Sequence, residues 1–297
     1  VDDDVQYHYF LWADLVLRHG LLPWKAFPID YPPGVLPFTV LPGSSHIYEL
    51  EFMVLAFIAD ALIARTLWRS GRDSLPLWGW IALPVLLGPV MWVRLDVFVA
   101  AALVGLVCCL EQRRWALAGF CVASATLLKI WPALLLILIF PLLDRSGRWR
   151  ILWSSFATVV VATLPVVLWG GANGLWSMLQ TQGGRGLEIE TVWAWPAVFL
   201  RGLGASIGFL NGEGSPVVDE PLWLVRLWGL LLPLLVCVFA VWIWRLRPHL
   251  SLRAVSLGAA SLVLIGEKTL SPQSVVWVGA LTLLYVASRP GDLRRRQ

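Results

Sequence analysis

Charge is what this chain has least of. Of its 297 residues only 14% are charged, 58% are hydrophobic, and mean hydropathy is +0.74. A soluble domain carries about 25% charged residues, so an ordinary water-soluble globule is excluded. Lysine is scarcer still: Lys25, Lys129 and Lys268 are the whole complement, against 20 arginines. The four cysteines (Cys108, Cys109, Cys121, Cys237) lie in apolar segments with no metal-ligand spacing, so they read as small buried hydrophobes.

Uncharged runs fill the space that charge leaves. They cover 74–93, 151–184, 227–244 and 269–288, and several reach the roughly 20 residues that cross a bilayer core. The chain therefore reads as an all-α polytopic membrane protein. Its pI near 9.1 does not signal nucleic acid, and no nucleic-acid partner is expected. Arginine falls in clusters between apolar runs: Arg65/Arg69/Arg72, Arg113/Arg114, Arg145/Arg148/Arg150, Arg245/Arg247/Arg253, and Arg289 with Arg294–Arg296. That is the pattern of cytoplasmic loops.

Fixing those clusters inside gives about nine membrane segments: 47–68, 76–93, 96–110, 115–129, 131–143, 151–170, 222–245, 252–267 and 272–288. The whole of 1–297 is then one transmembrane domain, with 1–45 and 171–221 as extracytoplasmic loops. A single helix over 115–143 would bury Lys129 in mid-membrane, at about 2.5–3.5 kcal/mol, and would send Arg145 outside. Two short helices meeting at "LKIWP" avoid both problems, with Pro132 restarting the second. The sorting places 15 of 23 Lys and Arg inside and 14 of 19 acidic residues outside, with Asp60 left within a span. The chain opens on Val1 and the acidic "VDDDVQYHYF", a segment that needs an anchor, so an N-terminal transmembrane helix preceding it is expected.

The chemistry-bearing residues collect on the outer side. "MWVRLDVF" puts Arg94 and Asp96 at a helix start, two positions apart and hence not on one helix face. Lys129 sits at a helix tip, where a lone lysine ordinarily snorkels. "QTQGGRGLEIET" sets Arg185 among glycines that permit close backbone approach, followed by Glu188 and Glu190. "IGEKTLSPQ" supplies Glu267, Lys268 and Gln273 between two apolar helices. The first outer loop holds Asp3, Asp4, Tyr7, Asp30 and Tyr31 in "DDDVQY" and "DYPPG", where a carboxylate could serve as general base. Isolated cations around a membrane-embedded pocket suit a lipid-linked phosphate, its tail in the bilayer and its anion at the rim. A transporter needs polar groups near the midplane; these spans have almost none.

Seven short pieces in order, "DVQY" (4–7), "HGLLPW" (19–24), "DYPPG" (30–34), "RLD" (94–96), "LKIWP" (128–132), "RGLEIET" (185–191) and "KTLSPQSVVW" (268–277), carry a family resemblance. The chain resembles glycosyltransferase family 87, the polyprenol-phosphate-mannose-dependent α-mannosyltransferases with the multi-helix GT-C fold. It departs from that pattern at Asp30, where Glu is commoner, and Thr191, where Ser is. The resemblance implies a membrane hexosyltransferase that moves a sugar, expected to be mannose, from a polyprenyl-phosphate donor to a lipid or glycan acceptor. The site would be the outer face of a bacterial plasma membrane and the mechanism an inverting single displacement. Asp4 is then the expected base, with Asp3 and Asp30 in reserve. Arg94, Lys129, Arg185 and Lys268 would meet the phosphate, and Glu190, Gln273, Tyr7 and Tyr31 would line the substrate. No cofactor is expected, although the "DDD" run leaves a divalent metal open. A pentose such as arabinofuranose in place of mannose, and a lipid-linked-sugar flippase in place of an enzyme, stay open as alternatives.

Overall fold

The computed structural model describes residues 4–71, 73–211, 216–219, 222–246, 250–269 and 272–287. Asp3, the side chain of Asp4, Arg72, Arg247, Arg289 and Arg294–Arg296 lie outside that set. The described chain is overwhelmingly helical. A π-helical turn, Asp4–Tyr9, runs into α1 (Phe10–Leu17), and a tight turn at Pro33–Val35 leads into α2 (Leu36–Val40). Next come α3 (Tyr48–Ser70), α4 (Leu75–Leu87), α5 (Asp96–Glu111), α6 (Trp115–Leu128), α7 (Ala133–Ile139) and α8 (Arg145–Leu168). After these come α9 (Ala172–Gly184), α10 (Trp195–Gly202), α11 (Leu222–Leu246), α12 (Leu252–Gly266) and α13 (Val275–Val286).

Sequence chemistry marks several boundaries. Asp144 caps α8 by accepting from the backbone N–H of Gly147 at 2.5 Å, and Ser251 caps α12 through Ala254 N–H at 3.1 Å. Between α6 and α7 the chain breaks where the Pro132 reading places it: Lys129 is extended (φ −144°, ψ 133°), and α7 starts directly after Pro132. α6 lies parallel to α8. In the first half of each helix Ser154 Oγ donates to Ala116 O (2.6 Å) and Ser155 Oγ to Gly119 O (3.0 Å). Gly119 makes that approach possible, since a Cβ there would stand 2.5 Å from Ile151 O. With α6 and α8 parallel, the chain from Lys129 to Asp144 must run back, so 115–143 folds as a hairpin.

One end of the bundle is tied by a charged clamp. Arg253 at the start of α12 donates to both carboxylate oxygens of Glu111 at the end of α5 (2.9 Å each) and to Leu284 O of α13 (2.8 Å). By chain direction, the start of α5, the end of α6, the end of α12 and the start of α13 therefore gather at the opposite end. The core between them is one continuous apolar cluster from Val5 to Leu284, with Phe52, Phe98, Trp80 and Trp277 among its buried rings. Asp60 of α3 accepts from Trp80 Nε1 of α4 at 2.6 Å, which makes it a helix-to-helix tie.

The structure redraws two expectations. Of the nine segments, α8 and the 229–246 part of α11 are long and apolar enough to cross a bilayer by themselves; five shorter apolar helices accompany them. α3 has the length, but Glu49, Glu51, Asp60, Arg65 and Arg69 interrupt its apolarity. Only 17% of the apolar stretch of α8 and 11% of that of α11 is buried, so neither is the core helix of a soluble globule. The two segments expected to lie outside (1–45 and 171–221, the outer segments of that expectation) are structured and not simple loops. The first contains α1 and α2. The second contains α9, α10 and a hairpin of β1 (Phe209–Asn211) and β2 (Pro216–Val218), paired Phe209 with Val218 and Asn211 with Pro216. Leu187, Ala194 and Val218 give that segment a small core of its own. Short apolar pieces such as "IGFLN" and "PVVD" carry too little period to announce strands.

Candidate active site

At the end opposite the clamp the structure buries charge. Asp96 is the first residue of α5, where the positive end of the helix dipole favours a carboxylate. Its Oδ1 accepts from Lys129 Nζ at 2.8 Å and from Trp277 Nε1 at 2.5 Å. The Asp96 side chain is 3% exposed and that of Lys129 is 19%, so this is an interior ion pair and not a snorkelling tip. Lys129 also stands 5.2 Å from the centre of the Trp277 ring, which packs on Trp131 at 4.8 Å. Three elements thus hold one carboxylate: α5 supplies it, α6 ends on the lysine, and α13 supplies the indole.

The long outer segment brings a second pair. Arg185, extended at the end of α9, donates from Nη2 to Glu188 Oε1 at 2.6 Å. The Glu188 carboxyl is buried and pushed up by that burial, with Arg185 pulling against it and Glu190 adding to it. Backbone bonds fix the segment on the bundle. Glu188 N–H donates to Lys268 O (2.9 Å), Trp193 Nε1 to Ile265 O (2.6 Å), and Lys268 Nζ to Gly183 O (2.8 Å). α12 ends at Gly266, one residue short of its expected span, so Glu267 opens the loop. Burial there lifts its carboxyl to about 7. Lys129 opposes the rise, Glu188 and Asp96 add to it, and Arg185 opposes it. Glu267 adjoins Lys268, whose carbonyl accepts the Glu188 N–H, so it stands at the same end of the helices.

Tyr31 joins the first outer segment to these charges. Its ring meets those of Tyr9 and Trp12 edge-on at 6.4 and 6.1 Å. Burial raises its hydroxyl, with Lys129 opposing, Asp96 adding, and Tyr9 (by hydrogen bond) and Arg185 opposing. Asp96, Glu188 and Glu267 therefore stand with Lys129, Arg185 and Tyr31 at one end of the helices. Two cations face three carboxylates in a low-dielectric site. Unpaired charge is costly in such a site, and Lys129 and Arg185 are each held by a carboxylate.

The other anticipated residues are distributed around this cluster. Arg94 is half-buried on the approach to α5, and Gln273 is buried just before α13. Glu190 and Asp30 are exposed, and Asp30 O accepts from Gln182 Nε2 at 3.1 Å. Tyr7 is on the exposed side of the opening turn. Asp4 contributes its backbone to that turn. Four members carry no substrate-handling role in the sequence reading: Asp96, Trp277, Glu188 and Glu267. Their signal lay in the sequence, since a carboxylate next to long apolar runs needs a buried partner, but the partner's identity requires the fold.

A family model for glycosyltransferase family 87 matches residues 29–266. The chain belongs to glycosyltransferase family 87. It is a membrane glycosyltransferase, and a sugar donor and an acceptor are its substrates. The family 87 match takes in Asp30, Tyr31, Arg94, Asp96, Lys129, Arg185 and Glu188, while Asp4, Glu267 and Lys268 flank it. No curated protein and no solved structure matches the chain.

Proposed function

We propose that this family 87 member transfers mannose from a polyprenyl-phosphate donor to a hydroxyl of a lipid or glycan acceptor, at the extracytoplasmic face of a bacterial plasma membrane. The observation that carries the reading is the buried Asp96–Lys129–Trp277 group, joined by Arg185, Glu188 and Glu267, at one end of an apolar bundle. A lipid-linked phosphate keeps its tail among the helices and presents its anion to that end. Lys129 and Arg185, each now held by a carboxylate, are released in part to the phosphate oxygens. Side chains alone neutralise the anion in this reading, with no divalent metal in the step.

The displacement is single. The acceptor oxygen bonds to the anomeric carbon from the face opposite the phosphate as the carbon–phosphate-oxygen bond breaks. The electron pair of that bond leaves with the phosphate, and the acceptor's proton passes to a carboxylate. Asp4 is the base of this proposal, because its "D-x-x-Y" context best matches the first-loop acid of the family; Asp3 and Asp30 follow in rank. Cations stabilise charge that develops on the departing phosphate, which is where electrostatic catalysis gains most.

Membranes carrying the protein, incubated with labelled polyprenyl-phosphate-mannose and candidate lipid acceptors, test the reading. Labelled mannolipid is expected. Transfer from the arabinofuranosyl donor but not from the mannosyl one moves the sugar assignment to a pentose. Donor that crosses the membrane with no product formed overturns the enzymatic reading.

A further inference from the structure

The second outer segment carries an apolar face that the reaction does not use. α10 begins two residues after Trp193, whose Nε1 donates to Ile265 O in the last turn of α12, so its height is set at the end of that helix. Along the segment Trp195, Phe199 and Leu203 recur at a spacing of four, which stacks them on one helix face. Each is about two-thirds exposed (67%, 65% and 70%), and Val198 on the same side is also exposed. On the other side Ala197 packs on the small core of the segment and the Arg201 guanidinium lies 4.2 Å over the Phe209 ring, while Leu200 is half exposed. Exposed Val192 and Ile265 continue the stripe onto the flank of α12.

We propose that α10 is an interfacial helix, lying in the headgroup region of the bilayer with Trp195, Phe199 and Leu203 inserted and Arg201 at phosphate level. Two observations favour lipid over a second protein copy. The stripe is continuous with an apolar helix end, where lipid must already stand. An aromatic at each end of an apolar turn, with arginine on the flank, matches the amphipathic character of the interface. The docking also has a consequence: it fixes the segment that carries Arg185 and Glu188 at headgroup depth, whatever sugar is moved.

A lipid with a photoactivatable diazirine on a shallow acyl carbon tests this on the unaltered chain. The protein is reconstituted in phosphatidylcholine vesicles with and without phosphatidylglycerol, irradiated, and mapped by mass spectrometry. Adducts on 195–203 are expected within about threefold of those on Trp153, an exposed residue of α8, and at background on 216–219. The double variant Trp195→Ser/Phe199→Ser should drop the 195–203 signal to background while Trp153 labelling is unchanged. Labelling of Trp153 without labelling of 195–203 overturns the proposal. So does protection of 195–203 that disappears on dilution of protein in lipid, which would assign the face to a second copy.

Discussion

Lys268 and Glu267 are neighbours with different settings. Lys268 Nζ reaches Gly183 O at 2.8 Å, at the mouth of the cluster, whereas Glu267 is acted on by the buried charges. As a rim cation Lys268 would meet the departing phosphate, and a charge-assisted contact of that kind is worth about 1.5–3 kcal/mol. Lys268→Ala should therefore lower turnover efficiency by about tenfold or more, and Lys268→Arg should restore part of it, since a planar fork does not replace a point charge. Near-normal rates for both, at normal expression, would make it an ordinary turn residue. Glu267 gives a pH signature. Its carboxyl is held at about 7 in the fold against 4.5 ordinarily, so between those values the folded protein binds a proton that the unfolded chain has released. Stability from this group is full below 4.5 and is lost as pH rises through about 7. Thermal unfolding in detergent should show Glu267→Gln outlasting wild type at about pH 8 and matching it near about pH 4. An unchanged gap at both values would contradict a protonated Glu267.

Among the elements, the α5–α12–α13 junction has the sharpest energetic consequence. Arg253 holds both oxygens of Glu111 and the Leu284 carbonyl with little solvent access. Removing one partner leaves the other charge desolvated, so Arg253→Ala and Glu111→Ala should each cost about 2–4 kcal/mol of stability. The double variant should cost less than the sum, a coupling that a double-mutant cycle reads directly; additive losses would show the pair to be independent. Much at this scale was legible. The break at Pro132 follows from proline chemistry and apolar runs locate the long helices, whereas α8 starts at Arg145, six residues before its expected span, because Asp144 caps it. Which helices contact was not legible, because Arg253 and Glu111 are 142 positions apart. Nor was the β1–β2 hairpin, whose pairing depends on Leu187 and Ile189 lending backbone bonds from outside it.

For the whole molecule, charge counting leads to the expectation that Arg94, Lys129, Arg185 and Lys268 share one side of the membrane, and the fold brings Lys129 and Arg185 together with Asp96 and Glu188 at one end. What sequence could not supply was pairing: Arg94 and Asp96 are two positions apart in the motif, yet Asp96 takes Lys129 from the end of the next helix. The orientation of that end is an expectation with a direct check. Single cysteines at positions 114 and 148 should resist an impermeant thiol reagent on intact cells, while those at 184 and 269 should react. Reaction at 148 without reaction at 184 would reverse the topology.

The central claim, that the buried cluster is where a lipid-linked phosphate departs, is tested most directly by Lys129. Transfer from labelled polyprenyl-phosphate-mannose is measured for Lys129→Ala against wild type, both inserted in vesicles and confirmed as folded by thermal unfolding. A loss of about a hundredfold or more in kcat/KM is predicted, because the cation opposes charge formed in the transition state. A folded Lys129→Ala protein transferring mannose within about twofold of wild type would contradict the account.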